Sequence, residues 1–274
     1  MNSFHQKTVI ITGASAGVGA ACAKAFAREG AKLVLVARGQ PALERFAESL
    51  RSQTEVLTVA MDVANLDDCL SLFDKAEAAF GRIDVLINNA GLHVRGDFEK
   101  NSASDYANMI DVNLRAPIVL SKAALPYLRK SGGGAIVMIG SLAGIVPLQG
   151  AATYSATKAG MRSFSYALAD ELRGSGITLG IISPGPIDTG FIMDEIDAVE
   201  DIVFSQPMSS AEQVADAVLD IIRTGRTEIC LPASSGRLSK LFSLLPGLRR
   251  KLRPMLYRKG AKNKEKYRQR QSGR

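Results

Sequence analysis

The chain has 274 residues, and 46% of them are hydrophobic, which is enough to bury the core of one α/β domain. Its three cysteines, Cys22, Cys69 and Cys230, are scattered and form no CxxC pair, so we expect neither a disulfide framework nor a metal site. The N-terminus lacks the charged and apolar regions of a signal peptide, and no stretch approaches the ~18 apolar residues of a membrane span. These features predict a cytoplasmic protein in a reducing compartment.

The formal charge of +7 is unevenly distributed along the chain. Residues 237–274 contain 14 basic residues and one acidic residue, Glu265, whereas the remainder carries a net charge of −6. A mildly acidic domain over residues 1–236 is therefore followed by a strongly basic tail over residues 237–274.

Short apolar segments alternate with helix-length segments through the first 231 residues. The predicted strands are Thr8–Thr12, Lys32–Ala37, Val56–Met61, Asp84–Asn88, Ala135–Gly140, Ile177–Ser183 and Glu228–Leu231. The predicted helices are 17–30, 41–52, 65–80, 102–130, 151–174 and 209–224. Strands that are apolar nearly throughout are typical of a parallel sheet covered on both faces. The pattern predicts an α/β fold with a doubly wound, Rossmann-like parallel sheet in a single domain with a basic C-terminal extension.

The first predicted strand leads into a glycine-rich turn and an alanine-rich helix. Gly13, Gly17 and Gly19 form a GxxxGxG pattern, which differs from the commoner GxGxxG dinucleotide pattern. Glycines there allow a pyrophosphate to approach the backbone, and the helix N-terminus offers free N–H groups. We predict a dinucleotide site that also includes Ser15 and Val18, although a tight turn can require glycines for structural reasons alone.

Arg38 follows the second predicted strand, where an acid would bind the ribose hydroxyls of NAD. A guanidinium group pairs with the 2′-phosphate of NADP, whereas a carboxylate would repel that phosphate. The sequence therefore favours NADP(H), with a solvated surface arginine as the alternative.

Tyr154 and Lys158 are four residues apart in a predicted helix and share one face of it. A tyrosine has a pKa near 10, and a nearby ammonium group favours the phenolate. Such a phenol could protonate a carbonyl oxygen while hydride reaches the carbon. By itself, however, this spacing is more often a solvated pair.

The glycine turn, Asn88–Gly91, Asn113, Ser141, the Tyr154/Lys158 pair and Pro184-Gly185 occur together in one order. In this combination the sequence resembles the short-chain dehydrogenase/reductase family over about residues 7–232. The resemblance implies an NADP(H)-dependent oxidoreductase acting on a carbonyl or a secondary alcohol. A cofactor-binding sensor or scaffold without turnover, or an adaptor whose domain carries the basic tail, remains the alternative.

The resemblance also implies a role for each catalytic position. Tyr154 would be the general acid/base, and Lys158 would lower its pKa and hold the nicotinamide ribose. Ser141 would bond the substrate oxygen, and Asn113 would hold a water that relays protons to Lys158.

Three further segments resemble the family's cofactor contacts. The segment 88–91 would pack beside the cofactor and brace the sheet, although its asparagines could be purely structural. Residues 62–63 resemble the segment that meets the adenine, and Thr189 would reach the nicotinamide carboxamide. The expected contacts here are Asp62, Val63, Asn89, Ala90, Gly91, Pro184, Gly185 and Thr189.

The segment between Thr189 and Pro207 is rich in apolar residues and resembles a substrate lid. Its composition favours a hydrophobic substrate, such as a 3-oxoacyl or other lipid-like ketone, with a steroid or polyol as the runner-up. Alternatively, these side chains pack the lid onto the domain. Leu142, Val146 and Leu148 are expected to face the same pocket. His5 and His93 match no motif and are expected in surface or loop positions.

The tail interleaves leucines with basic residues at near-helical spacing, which is typical of a membrane-surface element. Pro246 and Pro254 are expected to break it into short helices, and Arg258–Arg274 is expected to be disordered. We predict contact with an anionic membrane surface, so the protein would be peripheral at a membrane. The alternatives are packing on the domain or on a partner subunit, and a tail that only solubilises. Nucleic acid is not an expected partner, because the basic segment Arg258–Arg274 contains a single aromatic residue, Tyr267, and no nucleic-acid recognition motif.

By resemblance, the two long helices 102–130 and 151–174 are expected to pair copies of the chain into a homodimer or homotetramer.

Overall fold

A seven-stranded parallel sheet forms the centre of the computed structural model, which describes residues 4–272 and the side chains of residues 4–269. The strand order is β3-β2-β1-β4-β5-β6-β7. The strands are β1 (Thr8–Thr12), β2 (Lys32–Ala37), β3 (Val56–Ala60), β4 (Val85–Asn88), β5 (Gly134–Ile139), β6 (Ile177–Pro184) and β7 (Glu228–Leu231). The doubly wound fold predicted from the sequence is confirmed. The first and last residues of each strand lie within one residue of the predicted positions.

Ten α-helices lie among the described residues. They are α1 (Gly17–Arg28), α2 (Gln40–Glu48), α3 (Leu66–Phe80), α4 (Ala103–Ile110), α5 (Ala116–Lys130), α6 (Ala152–Glu171), α7 (Gly190–Met193), α8 (Ala211–Thr224), α9 (Ala233–Leu244) and α10 (Pro246–Ser272). Both faces of the sheet are buried beneath them. On β1, for example, Val9 and Ile11 enter one hydrophobic core and Ile10 enters the other, because successive side chains of a strand point to opposite faces.

The predicted helix 102–130 is interrupted by a π-helical turn at Asp111–Arg115, between α4 and α5. The N–H of Ala116 bonds to the carbonyl of Asp111, five residues back. Pro117 follows, and it has no N–H to donate to the carbonyl of Asn113. Single π turns are frequent at functional sites, and this one carries Asn113.

The tail differs from its expected structure. Residues 246–272 form one helix, α10, which begins at Pro246 and retains Pro254 in its interior. A proline is compatible with the first position of a helix because its missing N–H would have no partner there. The expected disorder from Arg258 is therefore wrong as far as Ser272, while residues 273 and 274 lie outside the described part of the chain. The proposed domain boundary at 236 falls within α9.

The tail is ordered because it docks on the segment 190–205. Gly260 allows this approach, since a Cβ atom there would lie 1.8 Å from the carbonyl oxygen of Asp201. The buried Lys264 ammonium donates to the carbonyl of Val199 at 2.7 Å and pairs with the Asp201 carboxylate at 3.2 Å. Composition alone predicted that the basic residues of the tail are solvated. In the structure, Lys264 and Arg268 instead bind carbonyl and carboxylate oxygens of residues 197–201. Of the helices described, none has the length and apolar character needed to cross a membrane.

Glu228, at the start of β7, binds three other elements from a side chain that is 3% exposed. It accepts bonds from Arg162 (2.8 and 2.9 Å) and Tyr166 (2.9 Å) of α6, and from Ser183 (2.9 Å) of β6. Lys240 of α9 lies 3.4 Å away. Burial alone would raise the pKa of Glu228, but the hydrogen bonds from Arg162, Ser183 and Tyr166 outweigh it and lower the pKa to about 2.

We expect this lowered pKa to appear as acid sensitivity of the fold. A carboxylate with a depressed folded pKa stabilises the protein above its unfolded pKa, and this stability is lost as the pH falls through the folded value. The contribution is on the order of 3 kcal/mol. Urea unfolding at several pH values should show Glu228→Gln less stable than wild type near neutrality, with the gap closing toward pH 2.

The matched control is Glu55→Gln, because the Glu55–Lys32 ion pair has an exposed carboxylate. Such surface pairs contribute about 1 kcal/mol or less. If the difference in unfolding free energy between wild type and Glu228→Gln does not change with pH, the lowered pKa of Glu228 is contradicted.

Candidate active site

A cavity of about 1000 Å³ opens at the carboxyl edge of the sheet. The structure brings twelve predicted site residues to its wall: Gly13, Gly17, Val18, Asn89, Ala90, Gly91, Ser141, Tyr154, Lys158, Pro184, Gly185 and Thr189. Six others lie outside the lining: Ser15, Gly19, Arg38, Asp62, Val63 and Asn113. Because the carboxyl ends of parallel strands share one edge, loops distant in sequence converge there.

The glycine turn after β1 packs closely against the start of α1. A Cβ atom on Gly19 would lie 2.2 Å from the carbonyl oxygen of Gly13 and 2.6 Å from the Asn89 amide nitrogen. Helix α1 begins at Gly17 with no acid in its first turn, and its N-cap Ala16 makes no side-chain capping bond in the described structure. Its first N–H groups and dipole are therefore available to an anion, which fits the diphosphate of a dinucleotide.

Asn89 ties the end of β4 to this turn. Its side-chain amide donates to the carbonyls of Thr12 (2.8 Å) and Gly13 (3.1 Å). The Thr12 hydroxyl in turn accepts from the backbone N–H groups of Asn89 and Ala90, both at 3.0 Å. Asn89 thus has the bracing position expected of it, and it also lines the cavity.

The residues predicted to meet the adenosine end lie beyond the cavity wall. Arg38 follows β2 directly and is exposed. Among residues 4–269, no side chain forms a hydrogen bond or ion pair with its guanidinium group, so its charge is available to a ligand. Asp62 accepts from the N–H of Ala64 at 2.9 Å, and Val63 is buried in the core.

Tyr154 and Lys158 lie on the first turns of α6, facing the cavity. The Lys158 ammonium is buried and donates to the carbonyl of Ile139 at 2.8 Å, and it lies 5.8 Å from the centre of the Tyr154 ring. Burial lowers the pKa of Lys158 to about 8. Burial raises the pKa of Tyr154, whereas a hydrogen bond with Ser141 and the charge of Arg95 act to lower it.

Asn113 is fully buried behind the cavity wall. Its side chain accepts from the N–H of Leu92 at 2.9 Å and donates to the Leu92 carbonyl at 2.8 Å and to the Thr157 hydroxyl at 3.4 Å. It joins the loop after β4 to Thr157 of α6, the residue before Lys158. The Ser141 hydroxyl, at the end of β5, accepts from the N–H of Ala143 at 3.1 Å.

The sequence analysis missed His93 and Arg95 as members of the site. His93 was expected in a surface or loop position, but its ring stacks on Tyr154 with centroids 4.1 Å apart and planes 17° apart. Arg95 Nη1 lies 2.9 Å from His93 Nδ1, and both residues line the cavity. The signal available in the sequence was position, because both follow the Asn88–Gly91 segment by two to four residues.

The outer part of the cavity wall consists of apolar side chains, and basic side chains of α10 lie at its rim. Leu142, Val146 and Leu148 line it as predicted. Apolar side chains of the lid also form a small buried cluster with the tail: Ile192, Ile196, Val199 and Phe204, with Met193, Val203, Met208 and Tyr267 packed against it. Ile192 and Val203 belong to this cluster and to the cavity wall. Helix α10 adds Arg249, Arg250 and Arg253 to the rim.

Comparison with known proteins adds an independent line of support. The family model of the short chain dehydrogenases matches residues 7–200. A ketoacyl reductase, HetN, of Nostoc sp. is 34% identical over 232 residues, which cover 84% of this chain and 79% of that protein. An uncharacterized oxidoreductase of Staphylococcus saprophyticus is 40% identical over 191 residues, covering 69% of this chain and 77% of that protein.

A solved structure shares the whole architecture. It is a short chain dehydrogenase/reductase from Burkholderia phymatum in complex with NAD, with a TM-score of 0.81 and 28% identity. The alignment covers 91% of this chain and 97% of that one.

Proposed function

The chain belongs to the short-chain dehydrogenase family of oxidoreductases, and we propose that it uses NADP(H) to interconvert a ketone and a secondary alcohol. The observation that carries this proposal is the meeting of Tyr154, Lys158 and Ser141 on the wall of one cavity that also contains the glycine turn. The fold alone would host many reactions, whereas this group of side chains suits proton transfer to a carbonyl oxygen.

The chain's own residues would act in the following way. A bound nicotinamide cofactor supplies or accepts the hydride. Ser141 donates a hydrogen bond to the substrate oxygen and fixes the carbonyl beside Tyr154. The Tyr154 hydroxyl gives its proton to that oxygen in reduction and recovers it in oxidation. Lys158 would hold the ribose, and the Asn113 amide keeps the loop after β4 in place beside it.

The first test is turnover of a ketone panel with NADPH by wild type and Tyr154→Phe. A positioned general acid contributes roughly 10²–10⁴-fold to the rate, so we expect a loss of this size while NADPH still binds. Cofactor binding without turnover of any ketone by the wild type would favour the sensor interpretation instead. Absence of binding of either NADPH or NADH would overturn the proposal.

The preference for NADP(H) rests on Arg38. Its exposed guanidinium at the end of β2 is free of partners among the described side chains, so it can pair bidentately with a 2′-phosphate. The solved relative in complex with NAD supports a nicotinamide cofactor, and the preference between the two forms is our inference from this residue.

We expect Arg38→Ala to weaken NADPH binding about 10- to 100-fold, because a charge-assisted hydrogen bond contributes about 1.5–3 kcal/mol. NADH binding should change little, since NADH carries no phosphate at that position. Fluorescence titration with each cofactor measures both constants. Arg129→Ala is the matched control: Arg129 is exposed and lies near the end of α5, which precedes β5 and so lies at the opposite edge of the sheet. Equal losses for NADPH and NADH in Arg38→Ala would contradict the phosphate contact.

We further propose a hydrophobic substrate, with a 3-oxoacyl or other lipid-like ketone as the preferred class. The apolar wall formed by Leu142, Val146, Leu148 and Phe242 supports this proposal, as does the similarity to a protein named as a ketoacyl reductase. Of the segment between Thr189 and Pro207, Phe191, Ile192, Ile202 and Val203 also line the cavity, whereas Ile196, Val199 and Phe204 are packed in the segment's own cluster. A steroid or polyol remains the runner-up substrate.

Contact with an anionic membrane surface is a separate proposal, supported by the face that α9 and α10 expose. Leu244 is 78% exposed and Met255 is 58% exposed, and the other exposed apolar side chains are Leu238, Leu241, Leu245 and Leu248. Arg237, Lys240, Arg250 and Lys251 are exposed on the same two helices. Apolar side chains beside a row of cations suit the boundary between acyl chains and acidic headgroups.

We expect the double variant Leu241→Gln/Leu244→Gln to bind anionic phospholipid vesicles at least about tenfold more weakly than wild type, because burying a leucine contributes about 1.5–3 kcal/mol. Co-sedimentation with vesicles measures the loss. The control is Leu66→Gln/Leu70→Gln, which removes two comparably exposed leucines from α3. Equal binding by both double variants would refute membrane contact through the tail.

Pairing into a homodimer or homotetramer through α5 and α6 stays a proposal. Ile118 of α5 and Tyr166 of α6 are among the exposed large side chains, and Ile110 at the end of α4 is another. These residues provide apolar surface along the helices expected to pair.

A further inference from the structure

Helix α10 turns one face toward the cavity. Arg249, Arg253 and Leu256 all line it, and their spacing of four and then three residues places them on the same side of a helix. Gly260 continues this face and packs against the carbonyl of Asp201, which holds the face toward the domain. Helix α10 lies beyond the residues 7–200 that match the family model. These cavity-facing side chains are therefore a feature of this chain and not of the family pattern.

Neutral groups hold the two arginines at the rim. Arg249 Nη1 donates to the carbonyl of Pro147 at 3.4 Å. Arg253 Nη2 donates to the Tyr257 hydroxyl at 3.5 Å, and its guanidinium group lies 5.5 Å from the centre of that ring. The Tyr257 hydroxyl in turn donates to the Glu200 carboxylate at 3.1 Å. Because a guanidinium group has more N–H donors than these contacts use, both arginines keep donors for a ligand.

The cations of α10 that line the cavity have no counter-ion. They are Arg249, Arg250, Arg253 and Lys259. None of the four forms an ion pair with a carboxylate of residues 4–269, whereas two other cations of the same helix, Lys264 and Arg268, do pair with acids. Asp194 is the one acidic side chain in the lining within the described part of the chain. Arg249 and Arg253 are partly buried, and a charge partly removed from water favours an oppositely charged partner.

The segment 141–148 leads from the catalytic hydroxyl to these arginines. Ser141 begins it, and Leu142 and Val146 follow in the cavity wall. Pro147, the next residue, binds Arg249 through its carbonyl. Leu148 adds a further apolar side chain beside that contact. An apolar wall therefore separates the group that would hold a carbonyl oxygen from the group that would hold an anion.

We propose that Arg249 and Arg253 bind the anionic end of an amphiphilic ketone, whose apolar part lies along Leu142, Val146 and Leu148. This inference rests on the proposed function for the reaction at the ketone, and it narrows the hydrophobic substrate class to molecules with a charged end. The chemistry recognised is an oxyanion, which a guanidinium group binds through two parallel N–H bonds. That oxyanion is either a carboxylate of the lipid itself or a phosphate of the carrier of an acyl thioester.

Two matched pairs of ligands test the proposal and distinguish these sources. The first pair is a medium-chain fatty acid with a ketone near its methyl end, and its methyl ester. The second pair is a 3-oxoacyl-CoA and the N-acetylcysteamine thioester of the same acyl chain, which lacks the phosphates. Calorimetric titration of the full chain in the presence of NADP⁺ measures affinity without turnover. Wild type should bind the charged member of at least one pair about tenfold or more tightly, because hydrogen bonds to charged groups are the stronger ones.

Three double variants show whether the arginines carry this preference. In Arg249→Gln/Arg253→Gln the ratio of the two affinities should fall about tenfold. Arg249→Lys/Arg253→Lys keeps both charges and should retain most of the ratio. The matched control is Arg258→Gln/Lys262→Gln, which removes two exposed cations of α10 outside the cavity lining and should keep the wild-type ratio. Raising the ionic strength should weaken binding of the charged member more than that of the neutral one.

The ratio of kcat/KM values within each pair, measured with NADPH, gives the second readout and should change in parallel with the affinities. Equal affinity for both members of both pairs would overturn the inference. So would a preference that survives in Arg249→Gln/Arg253→Gln or that falls equally in the Arg258→Gln/Lys262→Gln control. A preference that depends on the two arginines, in a protein that reduces none of these ketones, would leave the anion site standing and count against the proposed function.

Discussion

The parallel arrangement of the seven strands is the constraint on which the site depends. Parallel strands need crossovers that return each chain segment to the same end, so all carboxyl ends lie on one edge and the loops that follow them meet there. The glycine turn follows β1, the Asn89 brace and the His93 loop follow β4, and Ser141 follows β5. Two hydrophobic cores cover the faces of the sheet behind this edge. The site is then a set of short loops whose geometry is fixed by the strands beneath them.

The charged groups around the cavity are mostly positive. The N-terminus of α1, the Lys158 ammonium and Arg95 each present positive charge to the interior, and α10 adds arginines at the rim. This bias suits an anionic dinucleotide and a reaction in which negative charge develops on a substrate oxygen. Burial in the same region lowers the pKa of Lys158 to about 8 and, together with the charges of Arg95 and Lys158, lowers the pKa of His93 to about 3. A neutral histidine is the partner that can stack on the phenol without adding a competing charge.

The basic tail has two parts with different surroundings. Its later part packs on the domain: Lys264 and Asn263 bond to carbonyls of the segment 197–204, and the ring of Tyr267 lies 5.9 Å from that of Phe204. Its earlier part, residues 238–255, exposes leucines and cations. The segment 190–198 is consequently held by two elements: α10 bonds to the carbonyl of Asp197, and Arg95 bonds to Phe191 and Glu195.

The features that the sequence by itself determined are those that depend on residues close together in the chain. Short apolar segments located all seven strands. Fixed spacings identified the glycine turn and the Tyr154/Lys158 pair. Each of these patterns depends on neighbours a few residues apart in the chain. Tertiary structure alone decided the rest. Whether the segment after Arg258 is solvated depends on Asp201 and Asp197, which pair with Lys264 and Arg268 and lie far earlier in the chain. His93 enters the site because Tyr154 and Arg95 pack around it. Those contacts join elements that are remote in sequence, and no local pattern encodes the free energy of forming them.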